Sequence, residues 1–334
     1  MSRTNKITSH EIAQKVGVSR ATVSRAFNPQ SIINEATRSK VLDMAKKFKY
    51  RPNAIARSLV TKQSHLIAVV VNNLCNLYEA ELIDLYTKHL QNKGLHPIIV
   101  SVDNMQNKLA NLVSISAYQV DAVVVFADNV TPQIAKQCFY VNSPIMVDSV
   151  GISDNDLEVD QIILQDDLAF EELVKLLIST GSNGIAYLNG NPSQPNTMRR
   201  AKLVEILKKH KMRFKAEGNG DFTYDSGYRE TLMLLRGSHG IDTIICANDE
   251  MALGAIDAIR YTLKLRIPQD INIVGFDDIR MAAWPNYDLT TIQTPTEELV
   301  NMIDSLVTNR IKTPDVAPTT AYIKNRLITR STTK

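Results

Sequence analysis

Residues that could cross-link this 334-residue chain are scarce. Three cysteines, Cys75, Cys138 and Cys246, stand far apart, and none falls in a CxxC or Cys/His ligand spacing. That excludes a disulfide framework and a structural zinc site and leaves the thiols as small buried hydrophobes. No apolar run approaches the roughly 18 residues of a membrane helix, and Met1 to His10 lacks the apolar core of a signal peptide. The expected location is the cytosol. A phosphate loop, a dinucleotide fingerprint and an activated Ser/His or Cys/His set are also missing, so neither a cofactor nor catalysis is expected. The paired acids Asp249-Glu250 and Asp277-Asp278 do not change this, because adjacent side chains generally point apart; they read as capping and hydrogen-bonding groups.

What is present is ordinary globular composition, 44% hydrophobic and 22% charged, unevenly distributed. At about 150 residues per domain, the length suggests roughly two core-forming units with an appendage. Met1 to Lys62 holds thirteen lysines and arginines against Glu11, Glu35 and Asp43, a net of +10, whereas the remainder has 25 basic against 32 acidic residues, a net of −7. A basic excess confined to one end marks a polyanion binder, since each phosphate contact releases condensed counterions.

The basic end also carries helical pattern. Ser9 can cap a helix in which Ile12, Ala13 and Val16 share a face, and Gly17 supplies a tight turn. Ser19 caps a second short helix, Arg20 to Phe27, which Asn28-Pro29 stops. Val23 and Phe27 lie on one face, so Arg20, Ala21, Ser24 and Arg25 point elsewhere: small, polar and cationic groups of the kind that read a major groove. A third helix starts at Asn34, with Val41, Leu42, Ala45 and Phe48 closing a three-helix core and Lys46, Lys47 and Lys49 free for phosphates.

HEIAQKVGVSRATVSRAFN followed by YRPNAIARSL resembles the headpiece and hinge of the LacI/GalR family of bacterial repressors. The resemblance implies a helix-turn-helix headpiece over 1–51 and a hinge helix with its linker over 52–62. DNA contacts are then expected from Thr8, Ser19, Arg20, Ala21, Thr22, Ser24, Arg25, Asn28, Asn53, Ala56 and Leu59. Leu59 would be the apolar wedge that enters a minor-groove base step, unless it merely packs at the domain junction. Pro52 can start the hinge helix, but so short a helix should order only with DNA and a partner hinge.

From Leu66 onward, short β-branched runs alternate with amphipathic stretches: LIAVVV, HPIIV, AVVVF and PIMVD, then GIAYL, TIIC and INIVGF. Such runs are buried parallel strands, and two doubly wound α/β units are implied. Ligands bind beyond the carboxyl ends of such strands, so the site is expected in loops containing Asn72 to Tyr78, Asp128, Asp148-Ser149, Ser193 to Arg199, Phe222, Asn248-Asp249 and Asp277-Asp278. Polar groups with a few aromatics suit a hydroxylated ligand such as a sugar.

CANDEMALGAIDAI, INIVGFDD, LTTIQTP and NRLITRST resemble the same family's effector-domain landmarks. The implied architecture is a two-lobed α/β domain of the type I periplasmic-binding-protein kind over 63–334. Its N-lobe would cover about 63–163 and 294–320, its C-lobe about 164–290 and 321–334. The effector positions then fall on Ser193, Arg199, Phe222, Asn248 and Asp277. For Arg199 a solvated helix surface is the alternative, and for Asn248 helix capping. Asn76-Leu77-Tyr78 replaces the usual Asn-Pro-aromatic, Lys202 stands at a usual glycine, and Gln165-Asp166 replaces Asp-Asn, which adds Tyr78 and Asp166 to the set and implies altered pocket chemistry. The function implied is a DNA-binding transcription regulator, a repressor acting as a homodimer on duplex operator DNA and controlled by a small-molecule effector of the sugar or sugar-acid class. No heptad pattern follows Arg330, so no coiled-coil tetramer is expected. The rival reading, a periplasmic-type binding protein without a DNA role, fits neither the missing leader nor the +10 end.

Overall fold

The computed structural model describes residues 7–28, 31–53, 58, 61–72, 74–102, 108–139, 143–148, 159–237 and 240–334. The chain divides into two compact units, Met1–His65 and Leu66–Lys334.

The first unit is built on three helices, α1 (Ser9–Val16), α2 (Arg20–Ala26) and α3 (Glu35–Lys47). The cap of α1 is Thr8 rather than the expected Ser9. Thr8 accepts from the Glu11 N–H while Glu11 reaches back to the Thr8 N–H at 2.7 Å, a reciprocal arrangement that a serine one residue later could not make with Glu11. Gly17 ends α1 at φ 74°, a left-handed backbone that favours glycine. Ser19 and Asn34 cap α2 and α3 as expected. Ile12, Ala13, Val23, Ala26 and Val41 form the core, and the Phe27 and Tyr50 rings meet edge to face at 5.7 Å. Leu42 and Phe48 are exposed, against expectation. So small a unit buries only one stripe of each helix, and Phe48 lies instead under the Lys15 ammonium, 4.6 Å from its ring centre.

The second unit holds two six-stranded sheets. In chain order its elements begin β1 (Leu66–Val71), α4 (Leu77–Asn92), β2 (His96–Ser101), α5 (Lys108–Ser116), β3 (Ala122–Val125), α6 (Pro132–Cys138), β4 (Ile145–Val147) and β5 (Asp160–Gln165). There follow α7 (Asp167–Ser179), β6 (Ile185–Asn189), α8 (Gln194–Lys209), β7 (Phe214–Asn219), α9 (Tyr224–Gly237), β8 (Thr243–Cys246), α10 (Asp249–Asp257), β9 (Asn272–Asp277), β10 (Thr290–Gln293), α11 (Thr296–Lys312), β11 (Thr320–Lys324) and β12 (Arg326–Ile328). One sheet runs β11-β5-β4-β3-β1-β2, the other β12-β10-β9-β8-β6-β7. All described pairings are parallel except β10 with β12.

Burial on both faces explains the continuous apolar runs. Along β1, Ile67, Val69 and Val71 pack with α4 and α11, whereas Ala68 and Val70 pack with α5 and α6. In the second sheet, Ala186 and Leu188 face α9 and α10 while Ile185 and Tyr187 face α7 and α8.

The chain crosses between sheets after Gln165, after Gln293 and after Lys324. The last crossing differs from the break proposed at 320, because β11 hydrogen-bonds to β5 through Lys324 and belongs to the first sheet. Asn325, in that crossing, donates to the Asp166 carboxylate at 2.6 Å and to the Gln165 carbonyl at 2.9 Å, tying two crossings together. A buried Asp160–Arg310 pair fastens β5 to α11.

Candidate functional site

Two surfaces carry the residues singled out above, one in each unit. In the first unit, packing of Val23 and Ala26 inward turns Arg20, Ala21, Ser24 and Arg25 outward, and all four are exposed. Neither arginine takes an ion-pair partner among the described residues, so both guanidinium groups remain available. Thr8, Ser19 and Thr22 sit at the helix starts: Thr8 is committed to its capping box, and Ser19 accepts the Thr22 N–H while its hydroxyl meets that of Thr22 at 2.9 Å. Exposed Asn28 follows α2, and exposed Asn53 lies in non-helical chain. Ala56 and Leu59 lie outside the described residues.

Sequence reasoning missed Arg38 here. From α3, 15% exposed at its side chain, it donates to the carbonyls of Ala26, Asn28 and Ser31 at 2.8–3.0 Å, closing the end of α2 and the loop behind it. A guanidinium is suited to this, because it offers several donors in a fixed plane where α2 leaves carbonyls without helical partners.

In the second unit, a cavity of about 820 Å³ lies between the two sheets, walled by the segments that follow their strands. Tyr78, Ser193, Arg199, Phe222, Asn248 and Asp277 line it, together with Asn72, Asn76, Asp128 and Asp148. Asp166 does not line it. Its carboxylate stands 3.7 Å from Arg199 Nε and takes the Asn325 amide, so it holds the arginine from behind. Asp249 and Asp278 also turn away: Asp249 is fully buried, accepting from Thr291 Oγ1 and the Ile279 N–H, and Asp278 pairs with Arg330 and Gln293. Lys202 is drawn off to Asp167 at 3.0 Å and Arg200 to Glu217, which leaves Arg199 as the cavity cation among the described residues.

Arg199 is no solvated helix residue. Its guanidinium carbon lies 3.7 Å from the Phe276 ring centre, and its side chain is 16% exposed. Asp148, whose Oδ2 is 3.9 Å away, stands in one of the loops expected to hold the site, directly after β4, but was not among the effector positions that the family resemblance implies. Burial pushes the carboxyls of Asp148 and Asp277 up to about 7. Arg199 opposes the rise at both. Asp166 and Asp128 add to it at Asp148; Glu79, Asp148 and Asp166 add to it at Asp277. Burial likewise raises Asp166, against the pull of Arg199 and the Asn325 amide.

The aromatic wall depends on a glycine. A Cβ on Gly190 would fall 2.1 Å from Phe222 Cε1, so the ring lies where only hydrogen fits. Asp148, Phe222 and Asp277 all have left-handed backbones, with φ of 54°, 68° and 114°. Such conformations cost about 1–3 kcal/mol each and gather at binding sites. Asn248 keeps both expected roles in view: its Oδ1 caps α10 at Met251 N, and its Nδ2 holds the Phe222 carbonyl, both at 3.0 Å, which leaves one N–H and one lone pair for a ligand.

Three side-chain oxygens in the cavity wall, Tyr78 Oη, Asn129 Oδ1 and Asn196 Oδ1, are buried without a hydrogen-bond partner among the described residues, whereas buried Arg199 Nε has only the Asp166 carboxylate at 3.7 Å. Unpaired buried polar atoms are rare in folded proteins, and a group at one site is the mark of a missing ligand or solvent. Cys75, expected to be buried, is exposed in this wall, whereas Cys138 and Cys246 are buried. Among the described residues no group of His, Cys, Asp and Glu is arranged to hold a metal, and no helix is long and apolar enough to cross a membrane.

Comparison with known proteins bears on both surfaces. The family model described as bacterial regulatory proteins, lacI family, matches residues 8–53, and that of the periplasmic binding protein-like domain matches residues 174–333. The chain is 30% identical to the HTH-type transcriptional repressor PurR of Yersinia enterocolitica, over 96% of the chain and 95% of that protein. It is 28% identical to catabolite control protein A of Priestia megaterium, over 98% and 99%, and 28% identical to the ribose operon repressor of Escherichia coli, over 92% and 94%. The crystal structure of the lac repressor dimer bound to operator and the anti-inducer ONPF superposes with a TM-score of 0.85 at 26% identity, covering 98% of the chain and 99% of that structure.

Proposed function

Since the chain belongs to the lacI family of bacterial regulatory proteins, we propose that it represses transcription by binding operator DNA as a homodimer and that a small molecule in the cleft controls this binding. The observation that carries the DNA role is the exposed face of α2, with two unpaired arginines beside two small residues on a unit of strongly positive charge. Arg20 and Arg25 can pair bidentately with guanine, Ala21 can meet a thymine methyl, and Ser24 can hold phosphate. One headpiece spans too few base pairs to discriminate within a genome, so two act together on a pseudo-palindromic site. The relative solved as a dimer on operator supports that assembly. Binding to operator DNA would be carried out in the cytosol.

The control role rests on the cavity and its unpartnered polar atoms. A ligand that favours one arrangement of the lobes shifts the equilibrium between arrangements by its difference in affinity for them. Arg199 is placed to report occupancy, because Asp166 behind it is bonded to Asn325 in another crossing between the sheets. Leu59, proposed as the minor-groove wedge, would register the change at the DNA.

In vitro selection from a random duplex pool tests the reading. The wild-type protein should enrich a two-fold-related sequence, Arg20→Ala should change the preferred bases, and Leu59→Ala should weaken selected duplexes while sparing nonspecific binding. Failure to enrich any sequence refutes the DNA role; unchanged preference and affinity in both variants refute the residue assignments.

A further inference from the structure

The charge of the cleft is one-sided. Its described wall carries six carboxylates, from Glu79, Asp128, Asp148, Asp221, Glu250 and Asp277, and one cation, Arg199, with no lysine or histidine. That cation is already engaged, with Asp148 and Asp166 within 4 Å of its guanidinium and Phe276 beneath it. Asp221 and Glu250 are tied to backbone and side-chain donors of the Asp221–Tyr224 segment. Asp148 and Asp277 accept no hydrogen bond from the described residues. Two of the orphaned atoms, Asn129 Oδ1 and Asn196 Oδ1, are also acceptors, and Asn196 is only 6% exposed. The cavity therefore offers an excess of acceptors and of negative charge over anything its own residues supply.

We infer that the effector carries an ammonium group on a hydroxylated frame, that is, an amino sugar rather than a sugar acid or sugar phosphate. This rests on the reading of the cleft as the effector site and names the class of ligand it takes. An ammonium supplies three donors and a full positive charge where Asp148 and Asp277 face the cavity, and the hydroxyls supply donors to the asparagine oxygens. The Phe222 ring gives the sugar a face to rest on. An anionic ligand would meet the Asp277 carboxylate, which has no ion pair among the described residues, and would find Arg199 already beside Asp148 and Asp166, so the arginine orders the two carboxylates next to it instead of recruiting an acid. Burial raises these two carboxyls to about 7, so at neutral pH they are partly ionised in the empty cleft, and a bound cation would complete their ionisation.

The test is calorimetric titration and thermal melting of the full-length protein at neutral pH with matched one- and two-ring sugars. Glucosamine, galactosamine and the β-1,4 glucosamine disaccharide are compared with their N-acetylated forms, which keep the nitrogen but lose the charge. Parent sugars, glucuronate, galacturonate and glucose 6-phosphate complete the set. The result expected is a rise in melting temperature with at least one amine, at an affinity about tenfold or more above its uncharged counterparts, no binding of the acids, and loss of the amine preference in Asp148→Asn/Asp277→Asn. Equal or tighter binding of an uncharged or acidic sugar overturns the amine assignment, and if that sugar also releases operator DNA the effector reading stands without it. Silence from every compound in both melting and operator release overturns both.

Discussion

Asp277→Asn should make the unliganded protein more stable at alkaline pH and leave it unchanged in acid. The folded protein holds this carboxyl at about 7 against an ordinary value of 3.8. Folding therefore favours the neutral form: the contribution to stability is complete below about pH 4 and is lost as pH rises through about 7. At pH 8 the difference corresponds to at most roughly 4 kcal/mol of disfavoured ionisation, and solvent entering the open cleft reduces the working figure to about 1–2 kcal/mol. Asparagine keeps the shape and removes the charge, so the variant escapes that cost. For an α/β unit of this size the gain corresponds to a melting temperature about 2–6 °C higher at pH 8, falling to roughly a third of that at pH 5 and to nothing below about pH 4. Differential scanning calorimetry at the two pH values reads it directly. A variant less stable than wild type at pH 8, or a difference that does not change with pH, would refute the reasoning that Asp277 is an unpaired buried acid kept for a ligand.

Three further substitutions separate binding roles from structural ones. Arg38→Ala strands three carbonyls at the end of α2 and should destabilise the helical unit by about 2–3 kcal/mol, seen as faster proteolysis near Asn28 and weaker operator binding, whereas Arg38→Lys restores part of both. Gly190→Ala displaces the Phe222 ring and should weaken effector binding about tenfold by titration while the melting temperature of the empty protein moves by less than about 2 °C. Asp160→Asn uncovers the buried Arg310 charge and should cost about 3–5 kcal/mol in urea unfolding, with effector affinity per folded molecule unchanged.

Much of this was legible before any coordinates, and the reasons are local. The caps at Ser19 and Asn34, the turn at Gly17 and the apolar stripes of α1 and α2 are short-range signals that the fold does not override. The buried strands β1, β3, β6, β8 and β9 declare themselves because both faces are covered. Among the edge strands only β2 did so, through HPIIV: β7, with the sequence FKAEGN, alternates between half-buried and exposed and has no apolar run to mark it, and β11 lies beyond the break expected at about 320 because pairing with β5 across 159 residues leaves no local trace. In the cleft, Phe222 and Arg199 stood out as residue types, but Asp148 is one acid among many until its carboxylate is seen beside the guanidinium. Asp166 entered the expected set because Gln165-Asp166 departs from the family's usual Asp-Asn, and such a match of positions does not give the direction of a side chain. Arg38 was invisible for the opposite reason: its three acceptors are backbone atoms, which every residue has.

The claim on which the rest depends is that paired basic headpieces grip a specific duplex. It is tested most directly by fluorescence anisotropy of the full-length protein on a selected duplex and on a scrambled one of equal length, across a salt series. The account predicts a preference for the selected duplex throughout, with affinity falling on the order of a thousandfold between about 50 and 200 mM salt as phosphate contacts are lost. Equal affinity for the two duplexes at every salt concentration, or binding indifferent to salt, would contradict it.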